Sequence, residues 1–248
     1  MQRLMRFPIR TKDSYIQGDL EYGSNNHCVI LMHGYEANRN GASATFMAEH
    51  LRDLGIDSYR FDLPGCGDDT LSISDCTINQ SMSYLETILK HFRRARSPYE
   101  QFSLFATSGS GPIALAAAKI SDFTKIGLQA PASFEYLRSV KEKCRLEGIT
   151  SQDEVYNIPV GGKVVQVAAR LIDHEANWTP NISIQSTPIM IVHGERDRII
   201  PVTYSMQLEN RNENVTLHIS PGARHSCAQP DRKDYAASVL APWFAKKK

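Results

Sequence analysis

A serine, an aspartate and a histidine, far apart along the chain, could together perform nucleophilic chemistry. Ser108 lies in residues 105–112, FATSGSGP, where small neighbours on both sides would allow a sharp turn. Asp197 follows the apolar run at 189–192, and His225 lies in a small-residue loop near the end of the chain. Such a set can activate the serine, because the histidine accepts the hydroxyl proton and the carboxylate orients the imidazole. The reaction that these three residues would support is acyl transfer.

Ser108 and Ser110 are both candidates for the nucleophile. A predicted strand ends at Ala106, so Ser108 would lie at the apex of the turn that follows, whereas Ser110 would already lie within the next helix. Pro112 supports this placement, because its fixed φ suits the first turn of a helix. We therefore predict Ser108 as the nucleophile and keep Ser110 as the alternative.

The acid and the base are chosen by their positions after predicted strands. Asp197 is the predicted acid, and Glu195, which lies nearer to the strand, is its alternative. His225 is the predicted general base, because it follows the last predicted strand within a loop of small residues. His33 and His193 each precede a glycine at a strand end, and we expect structural roles for both.

Acyl transfer also requires hydrogen-bond donors for the negative oxygen that develops in the transition state. The backbone N–H of Gly109, directly after the predicted nucleophile, is one candidate. The backbone N–H of Tyr35, in the loop that follows an early strand, is the other. The side chain of Tyr35 could also line the acyl pocket.

Short apolar runs alternate with segments of helical periodicity along most of the chain. The apolar runs predict strands at residues 29–32, 58–62, 102–106, 125–129, 189–192 and 216–219. The helical periodicity predicts helices at residues 42–54, 77–92, 113–120 and 235–244. This alternation predicts an α/β fold with a mostly parallel, doubly wound sheet. Ligands bind at the carboxyl ends of the strands in such sheets, and the candidate residues all follow strands.

One segment, residues 131–185, interrupts this alternation. It contains no strong strand pattern, and its periodicity predicts a helix at 163–172. We interpret it as a small cap inserted into a single α/β domain formed by residues 1–130 and 186–248, with an ordinary strand-to-helix connection as the alternative. The predicted substrate-binding residues besides Tyr35 are apolar side chains of this segment, namely Phe134, Leu137 and Trp178.

Composition argues against several classes of partner. The chain has 248 residues and a formal net charge of +1, which gives no reason to expect a nucleic-acid or membrane-surface partner. No apolar run is long enough to span a membrane, and no secretory signal is recognisable. The five cysteines are scattered and form no zinc-binding pattern, so we expect reduced thiols, no metal and a cytoplasmic location.

Taken in chain order, these motifs resemble the α/β-hydrolase superfamily over nearly the whole chain. The motifs are LMHGYEANRN, SYRFDLPGCGDD, FATSGSG, IMIVHGERDRIIP and PGARH. The HGYEANRN and RFDLPGCGD loops resemble those of bacterial cinnamoyl and feruloyl esterases. The Ala-x-Ser-x-Ser turn around Ser108 instead resembles the acyl-carrier-protein thioesterases of bacterial luminescence systems.

The resemblance implies an α/β-hydrolase fold with a small cap and a serine hydrolase that needs no cofactor. Its substrate would be a carboxylic ester with a small or aryl acyl group, cleaved through an acyl-enzyme. One alternative is an acyl thioesterase or acyltransferase that works on a fatty acyl group bound to an acyl carrier. The other alternative is a non-catalytic ligand-binding protein. A homodimer is compatible with the sequence.

Overall fold

The computed structural model describes residues 4–12, 14–23, 26–94, 98–118, 123–178 and 187–246. Its strands are β1 (Leu4–Arg6), β2 (Ile9–Arg10), β3 (Tyr15–Ile16), β4 (Gly18–Glu21), β5 (His27–Met32), β6 (Asp57–Phe61), β7 (Gln101–Thr107), β8 (Phe123–Gln129), β9 (Val155–Val160), β10 (Lys163–Ala168), β11 (Ile189–Gly194) and β12 (Val215–Ser220). Its α-helices are α1 (Ala42–Asp53), α2 (Ile78–Phe92), α3 (Gly111–Ala117), α4 (Phe134–Glu147), α5 (Ala169–Asp173), α6 (Thr203–Arg211) and α7 (Tyr235–Ala245). Single 3₁₀ turns lie at Ile73–Asp75, Ser108–Ser110 and Glu175–Asn177.

Eight strands form the main sheet, in the order β1-β4-β6-β5-β7-β8-β11-β12. The stretch β6-β5-β7-β8-β11-β12 pairs in parallel throughout, whereas β1 and β4 add antiparallel pairs at one edge. The predicted α/β architecture with a mostly parallel, doubly wound sheet is therefore confirmed. Because the parallel strands share a direction, their carboxyl ends meet along one edge of the sheet.

Helices cover both faces of this sheet, so its central strands are apolar on both sides. All six residues of β5 are buried. Val29 and Leu31 pack with α1 and α7 on one face, and Ile30 and Met32 pack with α2 and α3 on the other. The continuous apolar run in β5 is explained by this double burial.

Most of the elements predicted from sequence are present. The predicted strands overlap β5, β6, β7, β8, β11 and β12, and the predicted helices overlap α1, α2, α3 and α7. The last residues of the helix predicted at 113–120 lie outside the described residues. Sequence reasoning missed the N-terminal strands, which are short, and it also missed α4 and α6.

Residues 131–185, called the insertion from here on, connect β8 to β11; residues 179–185 lie outside the described part. Although the insertion has no strong strand pattern in its sequence, it contains two strands, β9 and β10, which form an antiparallel hairpin. The helix predicted at 163–172 is correspondingly wrong for Lys163–Ala168, and only Ala169–Asp173 is helical. Both turn glycines, Gly161 and Gly162, have positive φ, and the β-branched valines that follow favour a strand.

None of the helices that the structure describes combines the length and the apolar character needed to cross a membrane.

Candidate active site

Ser108 lies at a sharp turn between β7 and α3. Its backbone φ is 55°, in the left-handed region that residues with a Cβ usually avoid. The hydroxyl of Ser110 stabilises the turn, because it accepts a hydrogen bond from Thr107 N at 3.1 Å and donates one to Thr107 O at 2.9 Å. The Ser108 carbonyl accepts a hydrogen bond from Ala132 N at 2.9 Å. The turn therefore presents the Ser108 hydroxyl while the hydroxyl of Ser110 is buried and engaged with the backbone.

The structure brings Ser108, His225 and Asp197 together in one chain of hydrogen bonds. Ser108 Oγ lies 2.8 Å from His225 Nε2, and His225 Nδ1 lies 2.6 Å from Asp197 Oδ2. Because a carboxylate only accepts, Nδ1 carries the proton and Nε2 is free to accept the hydrogen of the serine hydroxyl. Glu195, the alternative acid, is exposed and accepts a hydrogen bond from Gly222 N instead.

The carboxylate of Asp197 is buried and fully surrounded by donors. Its Oδ1 accepts from the backbone N–H groups of Ile199 at 2.8 Å and Ile200 at 3.0 Å. A second imidazole is also close, since His193 Nε2 lies 3.2 Å from Asp197 Oδ2. Burial by itself would raise the pKa of Asp197, but the hydrogen bonds from His193 and His225 outweigh it and hold that pKa well below its ordinary value.

The loop after β5 brings His33, Gly34 and Tyr35 against the Ser108 turn. A Cβ added to Gly34 would lie 3.1 Å from Ser108 Cβ, which shows how closely the two backbones approach. His33 Nδ1 donates to the Gly34 carbonyl at 2.7 Å, and His33 Nε2 accepts from Leu63 N at 3.0 Å. Burial lowers the pKa of His33, which keeps the ring neutral and suited to this pair of bonds.

A buried arginine also fixes this loop. Arg39 N donates to Asp62 Oδ1 at 2.7 Å, and its guanidinium pairs with Asp19, Asp62 and Asp68. Arg39 and Asp62 are both buried, so the loop is tied to the residues that follow β6.

The predicted oxyanion donors belong to residues that contact each other. The ring of Tyr35 lies directly on Gly109, so that a Cβ at position 109 would overlap it. Tyr35 Oη donates to the Cys76 carbonyl at 3.1 Å, and burial raises the pKa of this hydroxyl well above its ordinary value. Within the described part of the chain, no acceptor is hydrogen-bonded to the backbone N–H of Tyr35 or Gly109.

A cavity of about 370 Å³ opens at Ser108 and extends beneath the insertion. It is lined by Tyr35, Glu36, Ser108, Gly109, Ala132, Tyr136, Leu137, Val140, Ile158, Val160, Gly161, Lys163, Val165, Val167, Ile172, Ile199, Ile200 and His225. The cavity therefore joins the Ser108 hydroxyl, both candidate oxyanion donors and the insertion.

Two of the four predicted substrate-binding residues line this cavity. Tyr35 and Leu137 do so, but Phe134 and Trp178 are not among the lining residues. Phe134 is the first residue of α4 and packs in the core, with 3% of its surface exposed. Trp178 directly follows the 3₁₀ turn Glu175–Asn177 and packs against the same core. Sequence reasoning missed the β9–β10 hairpin as a cavity wall, although the Gly161-Gly162 pair between two apolar runs is a signal for it.

The candidate site contains no recognisable metal site. Nowhere among the described residues do three or more His, Cys, Asp or Glu side chains form a group that could hold a metal ion. The arrangement of Ser108, His225 and Asp197 can perform nucleophilic chemistry with its own side chains.

Comparison with solved structures identifies the fold. Est1E from Butyrivibrio proteoclasticus, solved with ferulic acid bound, superposes with a TM-score of 0.79 at 16% identity, covering 96% of this chain and 97% of that one. The chain has the α/β-hydrolase fold. Alpha/beta hydrolase domain-containing protein 10 from mouse gives a TM-score of 0.74 at 18% identity, with 97% and 98% of the two chains covered. The esterase domain of a Rhodothermus marinus protein gives 0.71 at 14% identity, with 99% and 98% covered.

Sequence comparison adds one partial match within this α/β-hydrolase fold. Residues 153–248 match the prolyl oligopeptidase family. This region contains Asp197 and His225, but not Ser108. No curated protein sequence matches the chain.

Proposed function

We propose that this chain is a serine hydrolase that cleaves carboxylic esters through an acyl-enzyme intermediate. The observation that supports the proposal most directly is the hydrogen-bonded series from Ser108 Oγ through His225 to the buried carboxylate of Asp197, at the mouth of an apolar cavity. The left-handed backbone of Ser108 supports it too, since a nucleophile elbow needs such a conformation.

In the first half of the reaction, Ser108 Oγ forms a bond to the acyl carbon while its proton passes to His225 Nε2. The electron pair of the carbonyl moves onto its oxygen, which the N–H groups of Tyr35 and Gly109 stabilise. The carbon–oxygen bond to the alcohol then breaks, and His225 returns the proton to the departing alkoxide. Asp197 orients His225 and stabilises its imidazolium form.

In the second half, a water molecule takes the place of the alcohol. His225 accepts a proton from this water as its oxygen attacks the acyl carbon. The bond to Ser108 Oγ then breaks, and Oγ recovers the proton from His225. The products are a carboxylic acid and an alcohol, and no cofactor takes part. A thioester would react by the same steps with a thiol as leaving group.

We place the enzyme in the cytoplasm, supported by five buried cysteines that are all unpaired.

The proposal is tested with p-nitrophenyl acetate and an acetyl thioester as substrates. Ser108→Ala is expected to lower kcat by about a thousandfold or more, because the attacking oxygen is lost. Ser110→Ala is the matched control, since its hydroxyl only braces the turn, and it is expected to retain at least about a tenth of the activity. A fluorophosphonate probe should label wild-type protein on Ser108 and leave Ser108→Ala unlabelled.

Full activity in Ser108→Ala would refute the assignment of the nucleophile. Absence of both turnover and probe labelling in the wild-type protein would favour the ligand-binding alternative over catalysis. The ratio of ester to thioester turnover decides between the esterase and thioesterase alternatives.

A further inference from the structure

The insertion gives the cavity a wall that is built mostly of aliphatic side chains. Those that line the cavity are Leu137, Val140, Ile158, Val160, Val165, Val167 and Ile172. Ile199 and Ile200, which follow β11, extend the same apolar surface toward Asp197. These side chains can form dispersion and hydrophobic contacts with a substrate, but they offer no hydrogen bonds.

The hairpin of the insertion builds its part of the wall by strand alternation. Val165 pairs with Ile158 across the two strands, and both line the cavity. Val164, the neighbour of Val165, faces the other way and has 57% of its surface exposed. Successive residues of a strand point to opposite faces, so the two valines differ in orientation but not in chemistry.

The polar side chains that the insertion and the loop after β5 contribute to the cavity lining are either hydrogen-bonded within the protein or exposed to solvent. Tyr136 Oη donates to the Ile199 carbonyl at 3.1 Å, and burial raises the pKa of Tyr136 to about 12. Glu36 and Lys163 are exposed, and Glu36 Oε1 accepts a hydrogen bond from Gln166 N at 2.8 Å. A polar substituent deep in the cavity would lose its hydrogen bonds to water and meet mainly aliphatic carbon.

We propose that the acyl group accepted by this site is an aliphatic chain without polar substituents, an inference that rests on the proposed ester hydrolase function. The proposal places this aliphatic chain on the acyl side of the scissile bond. Tyr35 and Gly109, the candidate donors to the acyl oxygen, line the same cavity as the aliphatic wall. A hydroxylated aryl acyl group is disfavoured, because a buried hydroxyl without a partner costs far more than a missing apolar contact.

The test is a series of p-nitrophenyl esters from acetate to dodecanoate, followed by methyl octanoate against methyl ferulate. We expect kcat/KM to rise by about fourfold for each added methylene until the cavity is filled, and then to fall. Methyl octanoate should be cleaved faster than methyl ferulate. A matched series of alkyl acetates, in which only the alcohol lengthens, should give a much flatter profile.

Three hairpin variants test where the acyl chain lies within the protein. Val165→Phe should move the optimum to shorter acyl chains, because the added ring occupies the cavity. Val164→Phe adds the same ring on the exposed face and should leave the profile unchanged. Val165→Ala should move the optimum to longer chains, which keeps the test decisive if the larger side chain impairs folding.

The outcomes separate this inference from the proposed function. Hydrolysis of acetate that depends on Ser108 sustains the proposed function whatever the chain-length profile. If that hydrolysis is present, four results would each overturn the aliphatic acyl proposal. They are a flat acyl profile, a preference for ferulate, a steeper profile in the alcohol series, and equal shifts in the two phenylalanine variants. If the wild-type protein does not hydrolyse acetate and the fluorophosphonate probe does not label Ser108, both the proposed function and the aliphatic acyl proposal are overturned.

Discussion

The backbone of Ser108 is strained, and its immediate neighbours explain how the strain is tolerated. A φ of 55° costs a residue with a Cβ on the order of 1–2 kcal/mol. The Ser110 hydroxyl and the Ala132 N–H stabilise the turn on its two sides, and Gly109 lets the Tyr35 ring pack directly on the backbone. Ser110 therefore stabilises the turn by hydrogen bonds and is also small enough to fit within it.

His193, for which the sequence predicted only a structural role, also contacts the predicted acid. It is completely buried, with Nδ1 2.8 Å from Ser205 Oγ and Nε2 donating to the Ile200 carbonyl at 2.9 Å. The same Nε2 lies 3.2 Å from the carboxylate of Asp197. Since Asp197 orients His225 in the proposed reaction, we regard His193 as a positioning residue for the acid.

His193→Phe is expected to lower kcat by about tenfold or more and to leave KM nearly unchanged, because a hydrogen bond to a charged group is lost where no substrate binds. Ser205→Ala removes only the far contact of the ring, so its kcat should fall by less than about threefold. Both variants are measured with p-nitrophenyl acetate and normalised to the sites labelled by a fluorophosphonate. A decrease in kcat that disappears after normalisation would reduce His193 to a purely structural role.

At the scale of elements, hydrogen bonds between side chains and backbone attach the insertion to the α/β core. Glu175, in the 3₁₀ turn that follows α5, is buried and accepts hydrogen bonds from Ile78 N at 2.6 Å and Asn79 N at 3.3 Å. These are N–H groups of the first turn of α2, which have no partner within the helix. The Glu36–Gln166 hydrogen bond makes a second link, from the loop after β5 to strand β10.

Glu175→Ala is expected to lower the free energy of unfolding by about 1–3 kcal/mol, because a buried negative charge at the N-terminus of α2 is lost with two hydrogen bonds. Glu175→Gln keeps an oxygen for Ile78 N–H and should cost less. Urea unfolding followed by circular dichroism measures both. Glu86→Ala, at an exposed position of the same helix, is the control and should change stability by less than about 0.5 kcal/mol. Equal effects at positions 175 and 86 would contradict the capping role.

The limits of sequence reasoning are also clearest at this scale. The strands that were predicted, such as β5 and β11, are buried on both faces and carry continuous apolar runs. The β9–β10 hairpin carries a mixed pattern, because one of its faces is exposed, and it was mistaken in part for a helix. Apolar residues look alike in sequence whether they fill the core or line a cavity, so Phe134 could not be separated from Leu137.

At the scale of the whole molecule, strand order accounts for the assembly of the candidate site. The loops after β5, β7 and β11 contribute Tyr35, Ser108 and Asp197, and the loop after β12 contributes His225. These strands lie within one parallel stretch of the sheet, so their carboxyl ends share an edge. The sequence alone predicted that these residues would lie near one another, because the apolar strand that precedes each of them could be recognised.

The central sheet also buries a histidine away from the candidate site, and this residue makes the stability of the fold depend on pH. His27, at the start of β5, is 6% exposed, and its Nε2 lies 2.9 Å from Ser103 Oγ on β7. Burial, and to a smaller extent the positive charge of Lys125, lowers the pKa of His27 to about 4. Lys125 itself donates to the Trp243, Phe244 and Lys246 carbonyls at the end of α7.

Acidification from pH 6.5 to pH 4 should therefore destabilise the protein through His27. In this window His27 of the unfolded chain, with an ordinary histidine pKa of 6.5, binds a proton that folded His27 does not bind. The stability contributed by the neutral form of His27 is therefore fully present above pH 6.5 and is lost as the pH falls toward 4. The contribution is on the order of 3 kcal/mol. Urea unfolding at a series of pH values should give a shallower decline for His27→Gln than for the wild-type protein. The exposed His174→Gln variant should keep the wild-type slope, and a wild-type slope in His27→Gln would assign the acid sensitivity to other groups.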